Sequence, residues 1–312
     1  MRIKILIGLL SLCILNGCAQ KKSKVDMNTM IEETFKTTPK HDKQPLYGIQ
    51  IDKMGCRLSI AINDETLVDY FEKGGFSATE TINGHIIKSG NQTLKVMVYP
   101  RNGAQFIDDL AHIKLELFYV AQKGDPMDSY KIMKTIELPK DLKEKKLSYF
   151  EINIPFEANV PWDFSAFYNN LVDLRKVPEI EKKVIAEYEK IRGLISSNDS
   201  NEYLKFILKN QKMEYEAFYM TKDEVNESVN WLIKDATPLE NKEVLPMKNY
   251  ELVFEKEGKK VFLRDRTSRD GAIRIEYGTI NTEGDYKGQK SKETSLSPNL
   301  ILVKGKTEFE SL

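Results

Sequence analysis

Between residues 46 and 160 apolar side chains return at every second position in one short run after another, and that period constrains the fold more than any other feature. Leu58, Ile60 and Ile62 alternate with Ser59 and Ala61, and Asn63-Asp64 closes the run with a turn signal. Leu67 to Phe71 follows. Leu94, Val96 and Val98 share one face of the next run. Ile113, Leu115, Leu117 and Tyr119 repeat the period with Lys114 and Glu116 opposite, and Tyr130 to Leu138 and Tyr149 to Pro155 add two more. A period of two is the pattern of a half-buried strand. Several such strands between Gly, Asn and Pro turns predict an antiparallel β-sandwich over residues 46–160, with Asp141 to Lys146 as a charged connection.

Within this region Ile82 to Pro100, with its SGNQTLKVMVYP, resembles the strand-turn-strand of jelly-roll and immunoglobulin-like accessory domains in exported bacterial proteins. The resemblance implies a turn at Ser89-Gly90-Asn91 feeding a strand, and it carries no catalytic residue.

After the sandwich the texture changes. PWDFSAFY, residues 161–168, gathers Trp162, Phe164, Phe167 and Tyr168. Aromatic faces can stack on sugars, which makes Trp162 and Tyr168 candidate ligand contacts. The reading favoured here is a hinge over 161–177 packed between two domains, because the cluster lies where the periodicity switches. Residues 178–235 read as helices: Ile180, Val184, Ile185, Tyr188 and Ile191 step by three and four, and Gly193 with the SSNDS run ends the first. Thr221-Lys222-Asp223-Glu224 is a capping box for a later helix. Strands return from Tyr250: Leu252 and Phe254, then Glu257-Gly258, then Val261 and Leu263 predict a hairpin, and Ala272 to Ile280 and Asn299 to Val303 give two more around a polar loop from Thr282 to Ser297. The expected fold is thus mainly β plus α+β, a sandwich followed by a helical segment and a small antiparallel sheet within 178–312. That element order resembles the cone-shaped nuclear-transport-factor-like domains.

The amino terminus gives an address. Arg2 and Lys4 precede the apolar run ILIGLLSLCIL, which is about half of the roughly 20 residues a membrane-spanning helix needs. Leu15-Asn16-Gly17-Cys18 follows and resembles the lipobox of bacterial lipoproteins. The resemblance implies cleavage of residues 1–17, lipid attachment at Cys18 and, with Ala19 next, sorting to the outer membrane of a diderm bacterium. Residues 18–45 are polar and read as a tether of at most about 90 Å at roughly 3.3 Å per residue. Inside it Met27, Met30, Ile31 and Phe35 fall at helical spacing and suggest one short docking helix.

Removing the signal takes two of the 47 basic residues and none of the 47 acidic ones, so the mature chain is close to neutral and has no surplus to suit a nucleic-acid partner. Of three cysteines, Cys13 leaves with the signal and Cys18 would be lipidated, so Cys56 stands alone, without an intramolecular disulfide and most simply as a buried thiol. Asp108, Asp109 and His112 have ligand-like spacing but read as solvated turn residues; no metal-binding, phosphate-loop or serine-hydrolase motif occurs. Arg264, Arg266, Arg269 and Arg274 form the densest basic group. Arg264 and Arg266 could grip a carboxylate or phosphate from one strand face, although cross-strand pairing with Glu251, Glu255 or Glu276 explains them more simply. These features point to an envelope lipoprotein, held by its lipid, without cofactor or assigned catalytic residue, that acts by binding a protein, for instance as an immunity protein against an incoming toxin. A glycan-binding accessory role is the alternative, and an envelope hydrolase a third.

Overall fold

The computed structural model describes residues 27–139, 141–197, 200–236, 241–283 and 287–312. The signal segment, Cys18 and the tether as far as residue 26 lie outside the described residues.

Eight strands build the first half. β1 (Leu46–Met54), β4 (Phe76–Thr81), β6 (His112–Val120) and β7 (Lys131–Glu137) form one antiparallel sheet in the order β4-β1-β6-β7. β2 (Cys56–Ile62), β3 (Glu65–Tyr70), β5 (Lys88–Pro100) and β8 (Phe150–Asp163) form the other, ordered β3-β2-β5-β8. The alternating residues of both sheets meet in one core: Ile49, Ile51, Leu58, Ile60, Ile62, Leu94, Val98, Leu115 and Leu117 are all buried. The expected sandwich is therefore present. Its chain passes from one sheet to the other at Gly55, whose φ of +67° suits glycine and where a Cβ would lie 2.0 Å from the Leu110 carbonyl oxygen. Asn63-Asp64, both left-handed with φ of 52° and 61°, form the two-residue turn of the β2–β3 hairpin. The expected charged connection carries a short helix, α2 (Leu142–Lys145).

β1 and β4 add to the expected strands, and β5 and β8 differ from the sequence expectation in their bounds. Ser89-Gly90-Asn91 does not reverse the chain. β5 runs straight through it with a register shift opposite β8, Gly90 takes φ +120°, and the Gln92 amide nitrogen donates to the carbonyls of Lys88 and Gly90, so the glycine makes a bulge. β8 extends beyond Val160 to Asp163 and carries Trp162 into the sandwich core.

The chain then crosses through α3 (Ser165–Asn169) to the helical segment, α4 (Ile180–Ser196), α5 (Ser200–Ile207), α6 (Lys212–Ala217) and α7 (Lys222–Ala236). α4 continues past Gly193 and buries Val184, Tyr188, Ile191 and Ile195. The capping box at α7 is closed reciprocally: Thr221 N–H donates to Glu224 Oε2 at 2.7 Å and Glu224 N–H to Thr221 Oγ1 at 3.3 Å. The docking helix of the amino-terminal stretch exists as α1 (Met27–Thr37) and buries Ile31 in the second core, which shortens the expected tether.

The carboxy-terminal strands make two small sheets. β10 (Tyr250–Glu255), β11 (Lys260–Asp265), β14 (Leu300–Ile301) and β15 (Glu310–Ser311) form the first, and the predicted hairpin has Leu252 opposite Leu263 and Phe254 opposite Val261. β12 (Ile273–Ile280) pairs with β9 (Glu243–Val244) and with β13 (Lys290–Leu296). β13 lies in the stretch expected to be loop. KSKETSL pairs its backbone with β12 but buries none of its side chains, so it lacks the apolar alternation that marks a strand. Tyr188 joins helix to sheet: its hydroxyl donates to the Pro298 carbonyl at 2.8 Å and accepts from Leu263 N–H at 2.9 Å.

The halves share polar joints. Asn83, fully buried, accepts from Tyr47 N–H and donates to the carbonyls of Pro45 and Ala217. Lys123 reaches Glu224 at 2.7 Å, and His41 lies 2.9 Å from Glu216.

Candidate functional site

Two places combine a cavity with groups that could recognise a partner. The first is the loop end of the sandwich. Here the β1–β2 link, residues 71–75 and residues 101–111 surround a cavity of about 590 Å3, with Met54 and Leu110 at its rim 55% and 56% exposed. Beneath it Lys53 is 2% exposed. Its ammonium donates to the carbonyls of Cys56, Glu72 and Gly74 at 3.2–3.3 Å, which staples the β1–β2 link to residues 71–75. Burial lowers the Lys53 pKa, with Cys56 and Glu72 opposing. Arg57, Lys73 and Arg101 against Glu72 leave the lining basic. Cys56 is buried as expected, and burial pushes its thiol up to about 11, away from thiolate chemistry.

The second place lies between the halves. A cleft of about 600 Å3 is lined by the Asn63-Asp64 turn, the bulged start of β5, α3 and the β10–β11 turn. That turn takes three successive left-handed residues, Lys256, Glu257 and Gly258, with φ of 48°, 54° and 82°. Left-handed backbone costs a non-glycine residue about 1–2 kcal/mol, so the surroundings must hold it. They do. Arg175 donates to the Glu257 carbonyl at 2.6 Å, Lys259 to the Leu171 carbonyl at 3.0 Å, and Lys256 to the His85 carbonyl at 2.9 Å.

Behind the cleft sits a buried charge cluster. Glu65, Glu255, Lys256 and Lys260 are each 4–6% exposed. Glu65 Oε1 pairs with Lys260, while Oε2 lies 2.9 Å from Lys256 Nζ and 3.1 Å from His85 Nδ1, close in charge but out of hydrogen-bond alignment. Glu255 accepts from Thr66 N–H at 2.7 Å. Burial alone would raise the Glu65 pKa, but Lys260 and then Lys256 hold it well below the usual range. Burial raises Glu255 and lowers Lys256.

A smaller crevice of about 250 Å3 adjoins the cluster and is lined by Glu65, His85, Tyr168, Glu214 and Lys260 among others. Glu214 is exposed in the crevice, and the protein around it raises its pKa by partial desolvation. Opposite shifts on two carboxyls can separate an acid from a base. Glu65, however, spends its charge on two ammonium groups, which is a structural use.

The sequence candidates separate here. Trp162 is 5% exposed, donates its indole N–H to the Ile86 carbonyl at 2.8 Å and packs against Phe164 and Tyr219, so it offers no face to a sugar. Tyr168 does reach solvent and lines both cleft and crevice. Arg264 pairs across the hairpin with Glu251 at 2.7 Å and reaches Asp69 at 2.9 Å, so its guanidinium is committed. Arg266 lies one residue past β11, exposed, donating to the Tyr250 carbonyl, and does not join Arg264 in a grip. Arg274 pairs with Glu293 across β12 and β13. Among the described residues no group of three or more His, Cys, Asp or Glu is placed to hold a metal; Asp108 pairs with Arg101. No described helix is long and apolar enough to cross a membrane.

Lys53 and the Glu65 cluster escaped sequence reading. For Lys53 a signal exists: it follows Ile49 and Ile51 at every second position, on the core-facing phase of β1. The chain matches no protein-family model, no curated protein and no solved structure.

Proposed function

We propose that this is a lipid-anchored cell-envelope protein that acts by binding another exported protein at the loop end of its sandwich. The lipobox-like LNGC supports the anchor, at Cys18, and with Ala19 an outer-membrane address. The observation that carries the binding surface is the exposed pair Met54 and Leu110 over the cavity of about 590 Å3. Loops at the end of a sandwich are a recurrent place for recognition. The Lys53 staple lowers the ordering cost of docking. The occupant that fits is a protein presenting an apolar side chain ringed by acidic residues, opposite Arg57, Lys73 and Arg101. An immunity protein neutralising an acidic toxin is a concrete instance.

The test places a photo-crosslinking amino acid at position 110 of the membrane-tethered protein and analyses the adduct. A defined protein partner, captured at 110 and bound about 30-fold more weakly by a folded Leu110→Asp variant, supports the reading; that factor is about 2 kcal/mol, the size of one interface hot spot. Unchanged affinity in Leu110→Asp refutes it.

A further inference from the structure

The cleft between the halves is separate from the loop end, and its lining is chemically of another kind. One wall is saturated: the Asn63 amide donates to the Gln92 side chain at 2.6 Å and to the His85 carbonyl at 3.2 Å, accepts from Thr93 N–H, and Gln92 spends its own donors on Lys88 and Gly90 carbonyls. Such a wall is rigid and has little hydrogen-bonding capacity left. The rim is the reverse. Asn91, Asn169, Tyr168 and Lys88 line the cleft, and the two side-chain amides, the hydroxyl and the ammonium have no hydrogen-bond or ion-pair partner among the described residues, although Asp163 stands opposite Lys88 across β5 and β8 and the Tyr168 hydroxyl is enclosed on the side of Glu65 and Glu255. Tyr168 is held in place by packing, and Lys256 Nζ sits 5.9 Å from its ring centre.

Charge and size narrow the ligand. Lys88, Lys95 and Lys259 face the cleft against Asp64, which pairs with Lys95, and Glu257, while Lys256 turns its ammonium to the buried Glu65, so the lining carries a small cationic excess. A volume of about 600 Å3 lies within the range of small-molecule sites, about 300–1,000 Å3. Free amides both donate and accept, which matches hydroxyl groups, while the free ammonium of Lys88 matches a carboxylate. One aromatic ring, with no second ring opposite, suits the apolar face of a sugar better than a base that needs clamping on two sides.

We infer that the cleft between the sandwich and the α+β half is a binding site for an acidic oligosaccharide, contacted by Asn91, Asn169, Tyr168 and Lys88. Two turns of left-handed residues, Asn63-Asp64 and Lys256–Gly258, form part of its lining. The site does not depend on the loop-end reading.

The experiment is calorimetric titration of the mature chain with a hyaluronan tetrasaccharide, which alternates N-acetylglucosamine with glucuronate, and with the neutral chitin tetrasaccharide. The same titrations are run on Lys88→Met and Tyr168→Phe, two substitutions at groups that make no protein hydrogen bond, with thermal melts to verify folding. Binding of the acidic sugar, at least 10-fold preference over the neutral one, about 10-fold loss in Lys88→Met and about 5-fold loss in Tyr168→Phe are the expected results. No binding of the acidic sugar, equal binding of the neutral one, or unchanged affinity in both folded variants overturns the proposal. Loss of affinity in Leu110→Asp but not in these variants would assign sugar binding to the loop end and overturn it too.

Discussion

Replacing Glu65 by glutamine changes one oxygen to an amide and leaves the shape, so it isolates the charge at the centre of the buried cluster. In the native protein that carboxylate faces Lys260 and Lys256 with His85 beside it, and the two lysine side chains are 5% and 4% exposed. A unit pair at 2.9 Å attracts by about 6 kcal/mol at an effective dielectric of about 20, and desolvation of the ions opposes it. Neutral glutamine keeps the desolvation of both lysines and loses most of the attraction; Glu255, 3.8 Å from Lys260, and the more distant Glu214 remain. Breaking a buried pair in this way costs about 3–5 kcal/mol. For a chain of this size that is a fall in Tm on the order of 10 °C. The assay is thermal unfolding followed by tryptophan fluorescence, since Trp162 packs against Tyr219 from the other half. A quadruple variant, Glu65→Leu with Glu255→Gln, Lys256→Met and Lys260→Met, should recover most of the loss, because it removes the stranded charges together. A fall below about 2 °C for Glu65→Gln, or a quadruple variant no better than the single one, would refute the view that the cluster is sealed from water.

The same cluster sets a pH dependence. The Glu65 pKa is lowered in the folded protein, so its contribution is full above its ordinary value of about 4.3 and is lost as pH falls through the lowered folded value. Glu255 is raised and acts in the opposite sense, its penalty being relieved as pH falls, so wild type should stay stable to about pH 4 and lose Tm steeply below, while Glu65→Gln should show a shallower acid limb. Gly258→Ala would place a methyl 2.4 Å from Asp173 Oδ1 and 2.5 Å from Arg175 Nε at φ +82°, and should cost about 2–3 kcal/mol in urea unfolding. Gly193→Ala, inside α4 with open space around it, should instead gain up to about 1 kcal/mol.

What the sequence reveals of this fold follows how local the cause is. The sandwich strands are legible because burial on one face writes itself every second residue, as at Leu58, Ile60 and Ile62. The α7 capping box is legible because both partners lie within four residues. β13 is not, because an exposed strand pairs through its backbone and leaves no trace in its side chains. Nor is the bulge at Gly90, where a turn-like tripeptide is overruled by pairing with β8 on either side. Of the site residues, Tyr168 is legible from its aromatic neighbourhood, while Trp162 in the same cluster belongs to the core. The ion cluster is the least legible part: Glu65 and Lys260 stand 195 residues apart, and each alone reads as an ordinary surface charge. Only the docking of the halves makes them interior.

That docking also changes what an anchor at Cys18 would mean. A tether running to residue 45 would let the body sample about 90 Å above a bilayer. With α1 packed from Met27, Ile31 in the second core and Glu32 paired with Lys222 on α7, the chain between Cys18 and the body spans at most about 30 Å. The shared polar joints at Asn83 and Lys123 and the ion cluster further tie the sandwich to the half that carries α1. Lipidation at Cys18 would then hold the end of α1 within about 30 Å of a bilayer. With such an anchor, a short leash would raise the effective concentration of anything else anchored there.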